Sequence, residues 1–411
     1  RALASGKPAL LELPVDPERI SPRIKLSDLP LKSHERLFYE RVPLPDAIIR
    51  AAIHQLCSRT ATRLATGNAE SDAWLADEMA ARAIAEYSDE ADVRHYEVPV
   101  EFFARLLGPN LKYSCCFYRE ASSTLQEAEE EALRQTVEHA DLAGGQSILE
   151  LGCGWGALSL WMARQFPHSQ VTAISNSNAQ REYIEGEAAK RGLANLRVIT
   201  SDMNVFVPEA RFDRIVSIEM FEHMVNWREL MTRLRTWLEP DGRFFLHIFT
   251  HRSGAYLFDR ADGEDWIAQR FVAGGVMPSH HLIRQYADLF EVEKEWRWSG
   301  VHYQRTAQDW LENFDTHRYE IERVLRKVHG GETALWMRRW RWFLLATAGT
   351  DQGEHGCKGD DDREPEAKRE PHRETTLRER FLPNHVLAVA APDDARSREK
   401  VPLLRDRVAD D

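Results

Sequence analysis

Between residues 144 and 300 short apolar runs alternate with amphipathic stretches, and this alternation constrains the fold more than any other feature of the chain. Runs this short suit buried strands, and the stretches between them carry the wider apolar spacing of covering helices. The strand candidates are Ser147–Leu151, Gln170–Ser175, Leu196–Thr200, Arg214–Ile218, Arg243–Phe249 and Glu291–Trp298, with helices over about 157–166, 177–191 and 226–238. Pro240-Asp241-Gly242 closes the last helix with a stop and a turn. The pattern predicts an α/β fold with a Rossmann-like, doubly wound and mostly parallel sheet.

Ile148-Leu149-Glu150-Leu151-Gly152-Cys153-Gly154-Trp155-Gly156 ends the first of these strands and opens a helix, so three glycines stand where the backbone turns sharply beside a ligand. With Ala157 the run also satisfies Gly-x-Gly-x-x-Ala, which a nicotinamide dinucleotide could use. That cofactor wants an acidic side chain ending the second strand, and Ile174-Ser175-Asn176-Ser177 offers none. Glu150 ahead of the glycines and Asp202 closing the third strand point instead to S-adenosylmethionine, whose adenine amino group methyltransferases commonly hold with Asp.

Glu219, Glu222 and His223 follow the fourth strand, at the sheet edge where doubly wound folds bind ligands; in a helical turn they would share a face at i, i+3 and i+4. A nucleophile that takes a methyl group from a sulfonium must present a free electron pair. Glu222 and His223 are therefore acid-base candidates, and Glu219 could complement an ammonium, fix the His tautomer or touch the cofactor.

The flanks read differently. Five prolines over residues 1–40 suit an extended leader. Residues 41–140 form an N-terminal helical region, where Ile48, Ile49, Ala52, Ile53 and Leu56 recur at helical spacing and Trp74, Met79 and Ile84 continue the habit. The cofactor domain covers 141–348 with a helical cap over about 254–285 and 304–347, and Trp266, Trp296, Trp298 and Trp310 add aromatic surface there. Residues 349–411 form a charged tail, expected to be disordered over 349–380, in which only Val386–Ala391 could be a strand. The first residue is Arg, so the true start is expected to be missing.

Lys112-Tyr113-Ser114-Cys115-Cys116, Leu151–Gly156, Ser175-Asn176-Ser177 and Glu219-Met220-Phe221-Glu222-His223-Met224 occur in that order. His95-Tyr96-Glu97-Val98-Pro99, Gly274–Ser279 and Gly300–Tyr303 extend the set. Over about residues 45–347 the chain thereby resembles the family of coclaurine N-methyltransferases, cyclopropane fatty acid synthases and mycolic acid methyltransferases, class I enzymes that use S-adenosylmethionine. The resemblance implies that Tyr113 and Ser114 reach over the methionine end of the cofactor and that Gly152, Gly154 and Gly156 line it. It further implies Asn176 and Gln180 at the ribose, and Asp202 with Met203 at the adenine. In the cyclopropane synthases a bicarbonate ion serves as base, and the matching holders here are Cys115, Glu222, His247 and Tyr303. Two substrates stay open: a small amine, or an unsaturated acyl chain reached at a membrane surface through the N-terminal helices. The family also places an antiparallel strand soon after the helix that matches Trp336–Thr347; the sequence there is charged, and that strand is expected to be absent, leaving a sheet edge open.

A formal net charge of −12 argues against a nucleic-acid partner. The five cysteines lack zinc-ligand or disulfide-framework spacing, which suggests a reducing, cytoplasmic setting and no metal site. No apolar run approaches the roughly 18 to 20 residues of a membrane span.

Overall fold

The computed structural model describes residues 19–21, 24–25, 40, 42–64, 69–86, 98–252, 254–259, 265–272, 274–349 and 384–390. The expected leader, the motif residues His95, Tyr96 and Glu97, and the expected disorder over 349–380 lie almost wholly outside them.

One sheet organises the rest. Its strands are Ser147–Leu151 (β1), Gln170–Ser175 (β2), Leu196–Thr200 (β3), Phe212–Ile218 (β4), Leu238–Phe249 (β5), Glu291–Trp298 (β6) and Asn384–Ala390 (β7). They lie in the order β3-β2-β1-β4-β5-β7-β6. β1 to β5 pair in parallel, and β7 runs antiparallel to both of its neighbours. Every parallel strand found from the apolar runs is present; β5 starts earlier than expected because Leu238 already pairs with Phe212, ahead of an irregularity that takes in Pro240-Asp241-Gly242.

The helices are Asp46–Leu64 (α1), Ala69–Ala80 (α2), Val100–Leu106 (α3), Leu125–His139 (α4), Ala157–Gln165 (α5), Asn178–Lys190 (α6), Trp227–Trp237 (α7), Trp266–Arg270 (α8), Gly300–Thr316 (α9), Arg318–His329 (α10) and Thr333–Thr347 (α11). α7 shows why they form: the Asn226 side chain caps its first turn, and Leu230, Met231, Leu234 and Trp237 place one stripe in the core. Trp74 of α2, expected on the packed face, is instead 66% exposed; Leu75 and Met79 supply that face.

α3 and the cap helices share a second core. Phe102, Phe103, Trp310 and Trp340 form its centre, and Trp155 from the glycine turn packs into it. Glu40 is fully buried against this cap, accepting from Arg339 Nη2 at 2.7 Å, Trp266 Nε1 at 2.9 Å and Arg270 Nε at 3.2 Å.

The expectation that the last antiparallel strand is missing is wrong. β7 fills the place between β5 and β6, with Val386 opposite His247 on one side and Trp296 on the other. Loop closure costs only a logarithm of loop length, so a strand arriving long after α11 can still pair on both sides. A chain ending at Gly349 should leave the facing edges of β5 and β6 open and melt on the order of 10 °C lower in a thermal scan. An unchanged melting temperature would remove β7 from the sheet.

Candidate active site

At the carboxyl ends of β1 to β4 lies a cavity of about 1220 Å³, counted with its open mouth. Its walls bring together Tyr113, Ser114, Glu150, Gly152, Gly154, Asn176, Gln180, Asp202, Met203, Glu219 and His223. Gly156 is not in that wall. It caps α5 one step behind with φ 82°, and a Cβ there would stand 2.6 Å from Ile184 Cγ1. Gly152 has φ 72°, and its Cβ would meet Met220 Cγ at 2.6 Å, so the turn is shaped by backbone that other residues cannot adopt.

The strand ends are braced from inside. Ser175 Oγ donates to Gln180 Oε1 at 2.6 Å, and Asp202 Oδ1 accepts the Asn204 N–H at 2.7 Å. Glu150 is buried and accepts from the Ser159 hydroxyl; burial pushes its carboxyl up to about 8. The wall suits a sulfonium nucleoside: Asp202 and Gln180 offer acceptors for amino and hydroxyl groups, and the glycine turn leaves room for a ligand against the backbone.

Glu219, Glu222 and His223 do not share a helical face. The turn Phe221–His223 is 3₁₀, and Glu219 stands outside it with φ 47°, a left-handed conformation that costs a non-glycine residue of order 1–3 kcal/mol. Its N–H donates to His247 O at 2.8 Å, which fixes that backbone at the end of β4. The carboxylate thereby turns to Cys115, whose N–H donates to Oε1 at 2.9 Å, and takes a further hydrogen bond from the Tyr303 hydroxyl. Glu219 and His223 face the cavity. Glu222 stands behind it: Oε1 accepts the Phe249 N–H at 2.7 Å, and Oε2 has no partner among the described residues.

These positions separate the groups electrically. Burial, then the nearby charge of Glu219, holds the Glu222 carboxyl far above the usual range. Burial also raises Glu219, but the Lys112 ammonium and the Cys115 N–H oppose the rise. Burial lowers His223 to about 4 and leaves its imidazole neutral. Cys115, His247 and Tyr303, the other expected bicarbonate holders, are outside the cavity wall. Cys115 and His247 are fully buried, and the Tyr303 hydroxyl feels Glu219, Cys115 and Glu222. Trp298 meets His247 edge-on at 4.7 Å, and Trp310 tilts on Tyr113 at 5.4 Å.

Two residues escaped sequence reasoning. Lys112 is 4% exposed in the cavity wall, and its signal was a single charge inside an uncharged run from Leu111 to Tyr118. Gly275 passes so close to the turn Phe221–His223 that a Cβ would meet Glu222 O at 2.2 Å; its signal was the Gly274-Gly275 pair. Among the described residues no group of three or more His, Cys, Asp or Glu is arranged to hold a metal, and no helix is long and apolar enough to cross a membrane.

Residues 85–350 match the family model described as mycolic acid cyclopropane synthetase. The chain is 36% identical over 260 residues to an (S)-coclaurine N-methyltransferase of Thalictrum flavum subsp. glaucum, covering 62% of this chain and 72% of that one. It is 29% identical over 227 residues to the cyclopropane-fatty-acyl-phospholipid synthase of Escherichia coli (strain K12), covering 54% and 55%. A crystal structure of coclaurine N-methyltransferase bound to N-methylheliamine and SAH superposes with a TM-score of 0.74 at 31% identity, covering 84% of this chain and 95% of that one.

Gly275→Ala should push the turn that carries Glu222, cost about 1–3 kcal/mol of stability and depress turnover. Wild-type turnover and melting would show that the Gly275 backbone does not press on the turn. His223 carries a pH signature. Its imidazole titrates near 6.5 unfolded and near 4 folded. Above 6.5 both states are neutral; as pH falls from 6.5 to 4 the unfolded chain binds the proton first, and stability is lost by at most about 3 kcal/mol. His223→Gln should remove that share from the acid slope of the melting temperature, and an unaltered slope would contradict a buried neutral imidazole.

Proposed function

The chain belongs to the mycolic acid cyclopropane synthetase family, and from that premise we propose that it transfers a methyl group to the nitrogen of a small amine. It is an S-adenosylmethionine-dependent methyltransferase, similar over most of its length to coclaurine N-methyltransferase.

When bound, S-adenosylmethionine supplies an electrophilic methyl group on sulfonium. Tyr113, Ser114, Gly152 and Gly154 would position it, with Asn176 and Gln180 at the ribose and Asp202 and Met203 at the adenine. Glu150 braces the strand end from within the wall. The acceptor side falls to Glu219, Glu222 and His223. A secondary amine must lose its ammonium proton before its lone pair can attack, and its product bears positive charge. Glu219 faces the cavity and, when ionised, attracts that cation; neutral His223 presents a lone pair that can take the proton. Glu222, whose carboxyl burial holds far above the usual range, fixes the end of β5 through Phe249 and orders the turn that presents His223. Holding both reactants in line supplies much of the acceleration.

One observation carries the choice of amine over alkene. The Cys115 N–H and the Tyr303 hydroxyl, donors that could hold bicarbonate, already serve the Glu219 carboxylate. A second anion beside Glu219 would meet like charge. The cyclopropane-synthase reading keeps a narrower basis: Cys115, Glu222, His247 and Tyr303 are all present, and the first three are fully buried. The free thiols of Cys57, Cys115, Cys116 and Cys153 fit a cytoplasmic setting.

The test is methyl-labelled S-adenosylmethionine offered with a panel of secondary and tertiary amines and, separately, with unsaturated phospholipid vesicles. Label should enter amine alone, and label confined to lipid would reject the proposal. Glu222→Gln and His223→Ala should each slow amine methylation about 100-fold or more while cofactor affinity, measured by calorimetry, survives. Near-normal rates in both would take them out of the mechanism.

A further inference from the structure

Lys112 is absent from the chemistry above, yet it is a buried cation in the cavity wall. Its Nζ donates to Ser114 Oγ at 2.7 Å and to Cys115 O. These bonds close the segment Tyr113–Cys116 over the ammonium, and the same segment supplies the Cys115 N–H that Glu219 accepts. The backbone of Lys112 is fixed from the other side: Glu129 of α4 accepts its N–H at 3.2 Å and that of Asn110 at 2.8 Å. The buried Glu129 carboxylate and the half-buried Glu219 carboxylate thus flank one buried ammonium, and both feel its charge. An amide could make the same hydrogen bonds without the desolvation cost of a full charge, so the charge itself needs an explanation.

We propose that Lys112 is a positioning residue for methyl transfer, whose ammonium ties the Tyr113–Cys116 segment to the cavity and keeps the Glu219 carboxylate ionised towards the acceptor. The proposal rests on the reading that Glu219 faces the amine. The groups around Glu219 are few. Lys112, Tyr113, Cys115 and Cys116 precede α4, Glu222 and His223 lie on its own turn, His247 comes from β5 and Tyr303 from α9. Lys112 is the one whose charge favours ionised Glu219. Removing it leaves burial to act unopposed and moves the Glu219 titration upwards.

Two substitutions separate charge from hydrogen bonding: Lys112→Gln keeps donors and loses the charge, and Lys112→Arg keeps the charge. Glu219 is titrated in full-length protein by carbon-13 NMR of labelled glutamate carboxyls, with Glu219→Gln as the assignment, and kcat is measured against pH with an accepted amine. Lys112→Gln should raise the Glu219 titration and the acid limb of kcat together, by about one pH unit or more. Above that limb its kcat should return to within a few-fold of wild type, and Lys112→Arg should restore the limb.

An unmoved Glu219 titration in Lys112→Gln would overturn the proposal, as would a kcat loss equal at every pH that Lys112→Arg does not rescue. If Lys112→Gln does not fold, Lys112→Arg still decides: an acid limb close to wild type supports the charge, and one displaced by a full unit refutes it. The NMR titration needs no substrate. Wild-type protein that methylates no amine therefore sinks the amine reading alone, while a shifted Glu219 signal in Lys112→Gln still supports the role of the charge.

Discussion

The site depends on one contact, the Glu219 carboxylate accepting the Cys115 N–H at 2.9 Å. It joins two parts of the chain that sequence keeps far apart. On one side stands the end of β4, where Glu219 takes a left-handed backbone and its N–H is held by His247 O of β5. On the other stands the segment before α4, held by Lys112 and Glu129. Tyr303 of α9 closes the third side. A residue whose carboxylate accepts from a loop and a cap helix while its own N–H donates to a neighbouring strand fixes all three in one geometry, and the strain at Glu219 persists because these neighbours over-determine it.

The same contact separates two acids that stand near each other. Like charges in a dry site cannot both ionise without a large penalty, so the one with more donors and a cation at hand keeps the charge. Glu219 has the Cys115 N–H, the Tyr303 hydroxyl and Lys112. Glu222 has the Phe249 N–H and an Oε2 without a partner among the described residues, and burial holds its carboxyl far above the usual range. A carboxyl group at the strand end and a neutral imidazole on the turn that follows form a set able to attract a cation and take its proton.

Much of this was legible in the chain. Apolar runs bounded by turns gave β1 to β5, because a parallel strand covered on both faces needs a continuous apolar stretch. The glycine turn was legible because its positions need positive φ, as Gly152, Gly154 and Gly156 all show. β7 was not: its place depends on pairing across residues 348–383, and nothing local to Asn384–Ala390 says that two strand edges await it. The helical face expected for Glu219, Glu222 and His223 failed for a different reason. Residue spacing presumes regular backbone, and the positive φ at Glu219 is a tertiary outcome set by His247 and Cys115. Lys112 was visible as part of a motif, but its meaning needed the knowledge that its surroundings exclude water.

The cap is more than a cover. Tyr113 meets Phe103 at 5.2 Å and Trp310 at 5.4 Å, and Trp155 meets Phe103 at 5.2 Å and Tyr183 at 5.6 Å. Two walls of the cofactor cavity, one from the segment before α4 and one from the glycine turn, are thus anchored in the aromatic core that α3 shares with α9 to α11. Loosening that core would displace both walls together. Glu40, buried against Arg339, Trp266 and Arg270, ties the N-terminal side of the chain to the same core. The burial of its carboxylate makes sense on those terms, because an ion pair in a dry site fixes one geometry more than it adds stability.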